Sequence, residues 1–562
     1  MKKGAFTFVL HSHIPYCRGA GRWPHGEEWL HEAAIGTYLP LLRTLFRLVD
    51  EGCPFNLTIG ITPVLMEQLA DPLVLDNLDV FLQEKIVAAG ADASRFQRQA
   101  NAARADVARW HQRRFLMLHD FFTNALQRDI IGAFRRLQDA GHVEVATSAA
   151  THGYLPLLER DSSVYAQIAT GVETYQRHLG LWPRALWLPE CGYRPPYWSE
   201  ANGQSYRKSG LEEFLAAHGI VVFFAETHTV EGGTPVGKAT GDALGPYGEI
   251  PRRRAIPPAG YIEPTYRTTY LPYWVQSPRV AVLGRNNRTG LQVWSGAHGY
   301  PGDYWYREFH KRDDISGLHY WRVTGTQIDL AYKEPYDPDR AARRTEEHSR
   351  HFARLVEELI TDFYEHNRRP GVIAAIYDTE LLGHWWFEGI DWLGQVLRHL
   401  AASEVVELTT ASRYIEEHPP EDVIALAEGS WGQAGNHFTW LNDETEWMWP
   451  SIHTAERRME ALVARFPNAD GALRAILDQA GRELLLLQAS DWPFLITTGQ
   501  AVDYAQNRFG QHLHRFQRLA DAADVEDVGP ASLDFCRELQ EIDRVFPNLD
   551  YRLFAEREGQ AK

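Results

Sequence analysis

Ala185-Leu186-Trp187-Leu188-Pro189-Glu190-Cys191-Gly192-Tyr193 is a short apolar run broken by proline and followed at once by a carboxylate. Residues 185–188 have the length and apolar character of a buried strand. Pro189 ends regular pairing because it fixes φ and has no N–H to donate. Glu190 therefore leaves the carboxyl end of a strand, where α/β folds meet their substrates. Alone, the stretch is equally consistent with a glutamate that caps a helix or pairs with Arg194.

Six further runs share this design: 5–10, 55–59, 143–147, 220–225, 291–294 and 372–377. Each is an apolar segment followed by polar or aromatic residues and then a helical pattern. Strands alternating with helices imply a parallel sheet with right-handed crossovers. Seven such units would close as a (β/α) barrel, with an open doubly wound sheet as the alternative and 406–409 as a further edge strand. Between the second and third runs, residues 71–139 read as an inserted helical subdomain. From about 412 the strand signal fades and helical periodicity takes over at 454–465, 473–488, 498–516 and 532–546. The expected organisation is a barrel from 1–70 and 140–411, the insertion 71–139, and an α-helical C-terminal domain 412–562. The long Gly- and Pro-rich stretch 232–278 is expected to cover the site, since loops of this length in compact domains tend to be functional lids.

Composition narrows the function. With 562 residues and 44 % apolar content, the chain has enough material for several cores. A formal net charge of −17 argues against nucleic acid or an anionic membrane as the main partner. Cys17, Cys53, Cys191 and Cys536 are widely spaced, as free thiols in a reducing, cytoplasmic setting would be. No apolar run reaches the roughly 18 residues of a membrane span. The 18 Trp, 24 Tyr and 25 Phe often stand beside Gly, Pro, His or Asp, a pattern that suits stacking on sugar rings.

Four strand ends carry ionisable residues among aromatics: His11 and His13, His152, Glu190, and Asp378. A lone histidine is more often a satisfied hydrogen-bonder than a catalyst, but four such ends converge in a barrel mouth. Two carboxylates are the minimum equipment for glycoside chemistry. The competing reading makes His11, His13 and His152 ligands of a hydrolytic metal.

The ordered segments His11-Ser12-His13-Ile14-Pro15-Tyr16, Ala146-Thr147-Ser148-Ala149-Ala150-Thr151-His152-Gly153-Tyr154, Trp187-Leu188-Pro189-Glu190-Cys191-Gly192-Tyr193 and Tyr377-Asp378-Thr379-Glu380-Leu381-Leu382-Gly383-His384-Trp385-Trp386 resemble the motif regions of glycoside hydrolase family 57. The resemblance is nearest to its 1,4-α-glucan branching members and runs along nearly the whole chain. It implies a distorted (β/α)7 barrel with an inserted helical domain and a helical C-terminal domain, no metal or other cofactor, and an α-glucan partner for a monomer or small homo-oligomer. It implies Glu190 as nucleophile and Asp378 as general acid/base, which must hold its proton at rest. Trp23, Trp294, Trp431 and Trp440 correspond to substrate-stacking tryptophans. His11, His13, His152, Arg285, Asp303 and Asp491 correspond to polar substrate-binding positions, and Tyr261 to the tyrosine of a covering loop. His298 and the segment 313–325 depart from the family pattern. The alternatives are an α-amylase or 4-α-glucanotransferase of the same family, a metal-dependent polysaccharide deacetylase, and a non-catalytic glucan-binding relative.

Overall fold

The computed structural model describes the chain apart from residues 1, 23, 202–203, 234, 236–242, 246–247, 251–261, 278, 295–298, 326, 527 and 558–562. Its centre is a parallel sheet of β1 (Gly4–Ser12), β2 (Leu57–Ile61), β3 (Val143–Ser148), β4 (Ala185–Trp187), β5 (Val222–Ala225), β6 (Ala281–Gly284) and β7 (Gly371–Asp378). The spatial order is β7-β1-β2-β3-β4-β5-β6. A single parallel bridge from Arg285 to Ala374, with Asn286 N–H donating to Ala374 O at 3.1 Å, joins the last strand back to the first. The result is a distorted seven-stranded barrel whose closure is thin at one seam. Val406–Leu408 pairs in parallel with the start of β1, the edge position expected for it.

Every residue of β1 is buried, as in a sheet covered on both faces. Side chains alternate along each strand, and two cores separate accordingly. Ala5 and Val9, Ala185 and Trp187, Val222 and Phe224, Ala281 and Leu283, and Val372, Ala374 and Ile376 fill the barrel interior. Phe6, Phe8 and Leu10 point out against the covering helices. There Phe8 stacks on Phe352 at 6.1 Å and meets Trp392 edge-on at 5.9 Å.

Helix α1 (Glu27–Ala33) follows β1. The insertion is built of α2 (Pro72–Arg98) and α3 (Ala102–Asp120). The start of α2 is set by Asp71, whose carboxylate accepts from Leu73 and Val74 N–H, with Pro72 in the first turn. Helix α4 (Asp161–Leu179) crosses between β3 and β4 and stops at Gly180 in the left-handed conformation. Residues 291–294, expected as the sixth strand, instead end α5 (Asn287–Trp294), and the strand is 281–284 just before it. A run of four apolar residues does not distinguish a strand from a buried helix face. Helices α6 (Pro338–Asn367) and α7 (Gly389–Ala401) flank β7. The C-terminal part contains α8 (Met448–Arg465), α9 (Gly471–Leu487), α10 (Asp491–Thr498), α11 (Val502–Asp524) and α12 (Pro530–Ile542). Among the described residues one short strand falls beyond 412: Val423–Ile424, paired with Tyr273–Val275. Among the described residues, no helix is long and apolar enough to cross a membrane.

Helix α4 approaches the sheet closely at Gly171, where a Cβ would lie 2.2 Å from the backbone oxygen of Ser148. Gly510 on α11 has nothing within 4 Å of the same position. Gly171→Ala is expected to lower the thermal midpoint by several degrees, because a backbone atom cannot yield as a side chain does. Gly510→Ala should hold or raise it, the helix gaining about 0.5–1 kcal/mol from reduced freedom of the unfolded chain. Thermal unfolding of both variants checks the pair, and equal midpoints would contradict the packing.

Candidate active site

The inward rows of four strands, followed to the rim, end in polar groups. Ala5 and Val9 lead to His11; Val372, Ala374 and Ile376 lead to Asp378; Val222 and Phe224 lead to Glu226; Ala281 and Leu283 lead to Arg285. His11 and Asp378 are direct partners in the β1–β7 register, so their Cα atoms are about one strand spacing apart, roughly 4.8 Å. Glu226 and Arg285 meet as a buried ion pair at 2.8 Å.

Glu190 sits just past β4 in a left-handed conformation, φ 60° and ψ 25°, followed by Cys191 at φ 50°. Non-glycine residues are strained there by about 1–2 kcal/mol. Partners hold the turn: Cys191 N–H donates to Leu188 O at 2.9 Å and Trp431 N–H donates to Glu190 O at 3.0 Å. The Trp431 indole N–H also donates to the Glu190 carboxylate. Tyr193 and Gly429 exchange both backbone hydrogen bonds, at 2.9 and 3.2 Å. Residues 429–431, from beyond the barrel strands, thus grip Glu190 by backbone and side chain together. Gly192 allows Tyr154 to approach, since a Cβ there would lie 2.9 Å from the ring.

Three imidazoles pack beside these carboxylates. His11 stacks on Trp187 at 4.4 Å, and its Nε2 lies 3.1 Å from Nε2 of His152. His152 stacks on His13 at 4.0 Å. His152 Nδ1 meets Ser490 Oγ at 2.8 Å, while His13 meets Thr62 Oγ1 and Asp491 Oδ1, each at 3.0 Å. Burial pushes the His13 pKa down, but the Asp491 carboxylate, by charge and hydrogen bond, outweighs it with help from Glu190, and the net direction is up. Metal ligation asks donor atoms to converge on one point. These rings lie nearly parallel, 20° and 22° apart, and both nitrogens of His13 are engaged by side chains.

Glu380, two residues past Asp378, accepts from Tyr38 O–H and from His13 N–H at 3.3 Å. Burial drives its pKa up to about 8, with the Asp378 charge adding to the rise and Tyr38 opposing it. At neutral pH the rim therefore holds a protonated carboxyl beside Asp378.

The glycosyl hydrolase family 57 model matches residues 7–427, and the model of the 1,4-alpha-glucan branching enzyme C-terminal region matches 451–554. The chain belongs to glycosyl hydrolase family 57. It is 46 % identical over 549 residues to the 1,4-alpha-glucan branching enzyme TK1436 of Thermococcus kodakarensis, covering 97 % of this chain and 77 % of that protein. The crystal structure of TK1436 superposes with TM-score 0.90 at 43 % identity, covering 100 % of this chain and 98 % of the other. The branching enzyme structure from Pyrococcus horikoshii gives 0.88 at 40 % identity, covering 99 % and 98 %. The α-amylase AmyC of Thermotoga maritima gives 0.81 at 30 % identity, covering 99 % and 100 %.

The fold brings together His11, His13, His152, Glu190, Asp378, Trp431 and Asp491 of this family 57 chain. It treats the other expected residues differently. Trp431 is 2 % exposed and serves Glu190; Trp440 is fully buried, stacked on Tyr154 at 4.1 Å. Trp294 is buried on α5. Arg285, 2 % exposed, has its guanidinium on Glu226. Asp303 pairs with Arg344 of α6 at 2.8 Å and holds Trp305 N–H. Trp23, Tyr261 and His298 lie outside the described residues. Glu380, Tyr38, Thr62 and Ser490 were not singled out from sequence. Glu380 carries a readable signal, the spacing Asp378-x-Glu380 at a strand end, while the other three are hydroxyls with no pattern of their own.

Glu380 titrates near 8 in the folded chain against an ordinary value of 4.5. Between these values the folded state keeps a proton that the unfolded state has released, so this contribution is full below about pH 4.5 and is lost as pH rises toward 8. Replacing Glu380 by Gln removes the titration. The midpoint of the variant, relative to the parent, should therefore rise steadily from pH 5 to pH 8. Parallel pH profiles for the two proteins would refute the assignment.

Proposed function

We infer that this chain is a 1,4-alpha-glucan branching enzyme, a retaining transglycosylase that cleaves α-1,4 linkages and forms α-1,6 branches. The observation that carries the reading is the 46 % identity to a branching enzyme across 97 % of the chain. A branching-enzyme C-terminal match at 451–554 supports it. In this proposal residues 1–70 and 140–411 are the catalytic barrel, 71–139 the inserted domain and 412–562 the helical domain that completes the cleft. The free thiols Cys17, Cys53, Cys191 and Cys536 suit a cytoplasmic enzyme.

Glu190 is the nucleophile. The Trp431 indole holds one carboxylate oxygen, which orients the other toward the anomeric carbon. Asp378 protonates the departing O4 as the glucosyl–Glu190 ester forms. It then removes the proton from the C6 hydroxyl of an acceptor glucan, whose oxygen displaces Glu190. The stacked imidazoles of His11, His13 and His152 form a polar wall beside the carboxylates, where the Asp491 carboxylate favours the protonated form of His13. Water entering at the second step would give hydrolysis. The similarity to the α-amylase AmyC, TM-score 0.81, makes that the second reading.

Incubation with amylose, followed by proton NMR and a reducing-end assay, separates the two. Branching gives new α-1,6 anomeric signal with few new reducing ends; reducing ends without α-1,6 signal would make the protein an amylase. Glu190→Gln should lower turnover by roughly a thousandfold or more with the fold intact. Trp431→Phe keeps the ring and removes the N–H, and the loss of aim should cost about a hundredfold in kcat. An unchanged rate in either variant would overturn the role given to that residue.

A further inference from the structure

A cavity of about 70 Å³ lies between α1, the insertion helices α2 and α3, the segment 307–319 and the turn that follows Asp378. Lys85, Arg114, Arg307 and Arg312 line it. Glu32 is the carboxylate of the lining, and Arg312 already holds it at 2.9 Å. The segment includes part of 313–325, the stretch that departs from the family pattern.

Arg307 and Arg114 both lie over the ring of Phe387, at 4.0 and 4.6 Å. Among the described residues neither guanidinium forms an ion pair, and the buried Nε of Arg307 has no hydrogen-bond partner. Burial brings the Arg307 pKa down to about 10; Glu388 and Tyr336 oppose this, while the Arg114 and Arg312 charges add to it. His111 donates from Nε2 to His319 O at 2.8 Å, and burial holds it neutral, near 3. The pKa of His319 is pushed well below its ordinary value by burial and by the charges of Arg307 and Arg312. Lys85 faces Glu28 at 3.8 Å and Arg312 holds Glu32, so the excess positive charge of this cavity, in a chain whose net charge is −17, comes from Arg114 and Arg307. Gathering like charges in a half-buried space costs stability unless an anion answers them.

We propose that this cavity binds a phosphate group, either free or carried as a monoester on a sugar. Paired guanidinium groups match phosphate oxygens in geometry as well as charge. The volume holds about five water-sized groups, as many as the heavy atoms of one phosphate. Phe309 adds an apolar ring to the lining, of the kind a sugar ring stacks on. The site reaches the chemistry through its own wall: Gly383, His384 and Phe387 belong to the turn after Asp378, and Trp385 N–H of that turn donates to Glu380 O at 3.2 Å. An occupant would brace this turn.

Isothermal titration of the full chain with inorganic phosphate and with glucose 6-phosphate tests the proposal, with glucose as the neutral control. Saturable one-to-one binding of at least one phosphate compound is expected, weakened tenfold or more in Arg114→Gln and Arg307→Gln. Equal affinity for the two compounds would identify free phosphate as sufficient; tighter binding of the sugar ester would place its ring on Phe309. Circular dichroism checks both variants, and Lys85→Gln, at a half-buried helix position, replaces either one that fails to fold. No saturable heat from either phosphate compound overturns the proposal, as does binding that is unchanged in the folded variants.

Discussion

Strand alternation is the constraint on which the rest of this molecule depends. Side chains on a strand point to opposite faces, so a parallel barrel has one inward row per strand. Here the inward rows are apolar for most of their length and change character at the rim, to His11, Glu226, Arg285 and Asp378. A one-residue slip of β1 against β7 would break the pairing of His11 with Asp378. The interior core is therefore what places the chemistry, as well as what stabilises the barrel.

The carboxyl end of β4 needs more than the barrel. Glu190 occupies a strained backbone conformation, and its clamp comes from 429–431, more than two hundred residues later. His152 is held in the same way, with Ser490 N–H on its carbonyl and Ser490 Oγ on its ring. Asp491 supports His13 from the start of α10. Barrel and C-terminal helices are joined through the site itself, so disturbance of the helical part would reach the carboxylates without touching a barrel strand.

Burial does two kinds of work here. Around Glu380 it keeps a proton on a carboxyl that water would have ionised, because desolvation outweighs the Tyr38 hydrogen bond. Around Arg307 it lowers a cation that has no paired carboxylate of its own. Both groups lie on or against the turn between Asp378 and α7, which links the barrel rim to the insertion helices.

Much of this was legible in the linear chain. Apolar runs of strand length followed by helical periodicity specify a parallel sheet covered by helices, because hydrophobic pattern is a local property; its closing as a barrel in place of an open sheet is decided by the fold. Carboxylates after β4 and β7 are legible for the same reason, since a strand end is visible in sequence. The pattern failed at 291–294, where four apolar residues serve a helix as well as a strand. It also overstated the tryptophans: a residue type advertises stacking, but whether Trp440 offers its face to a sugar or to Tyr154 depends on packing across nearly three hundred residues. The histidine stack, the protonated Glu380 and the cation-lined cavity are likewise products of folding. Each arises from side chains far apart in the chain that share a low-dielectric space, and neither that proximity nor that dielectric is encoded in any one segment.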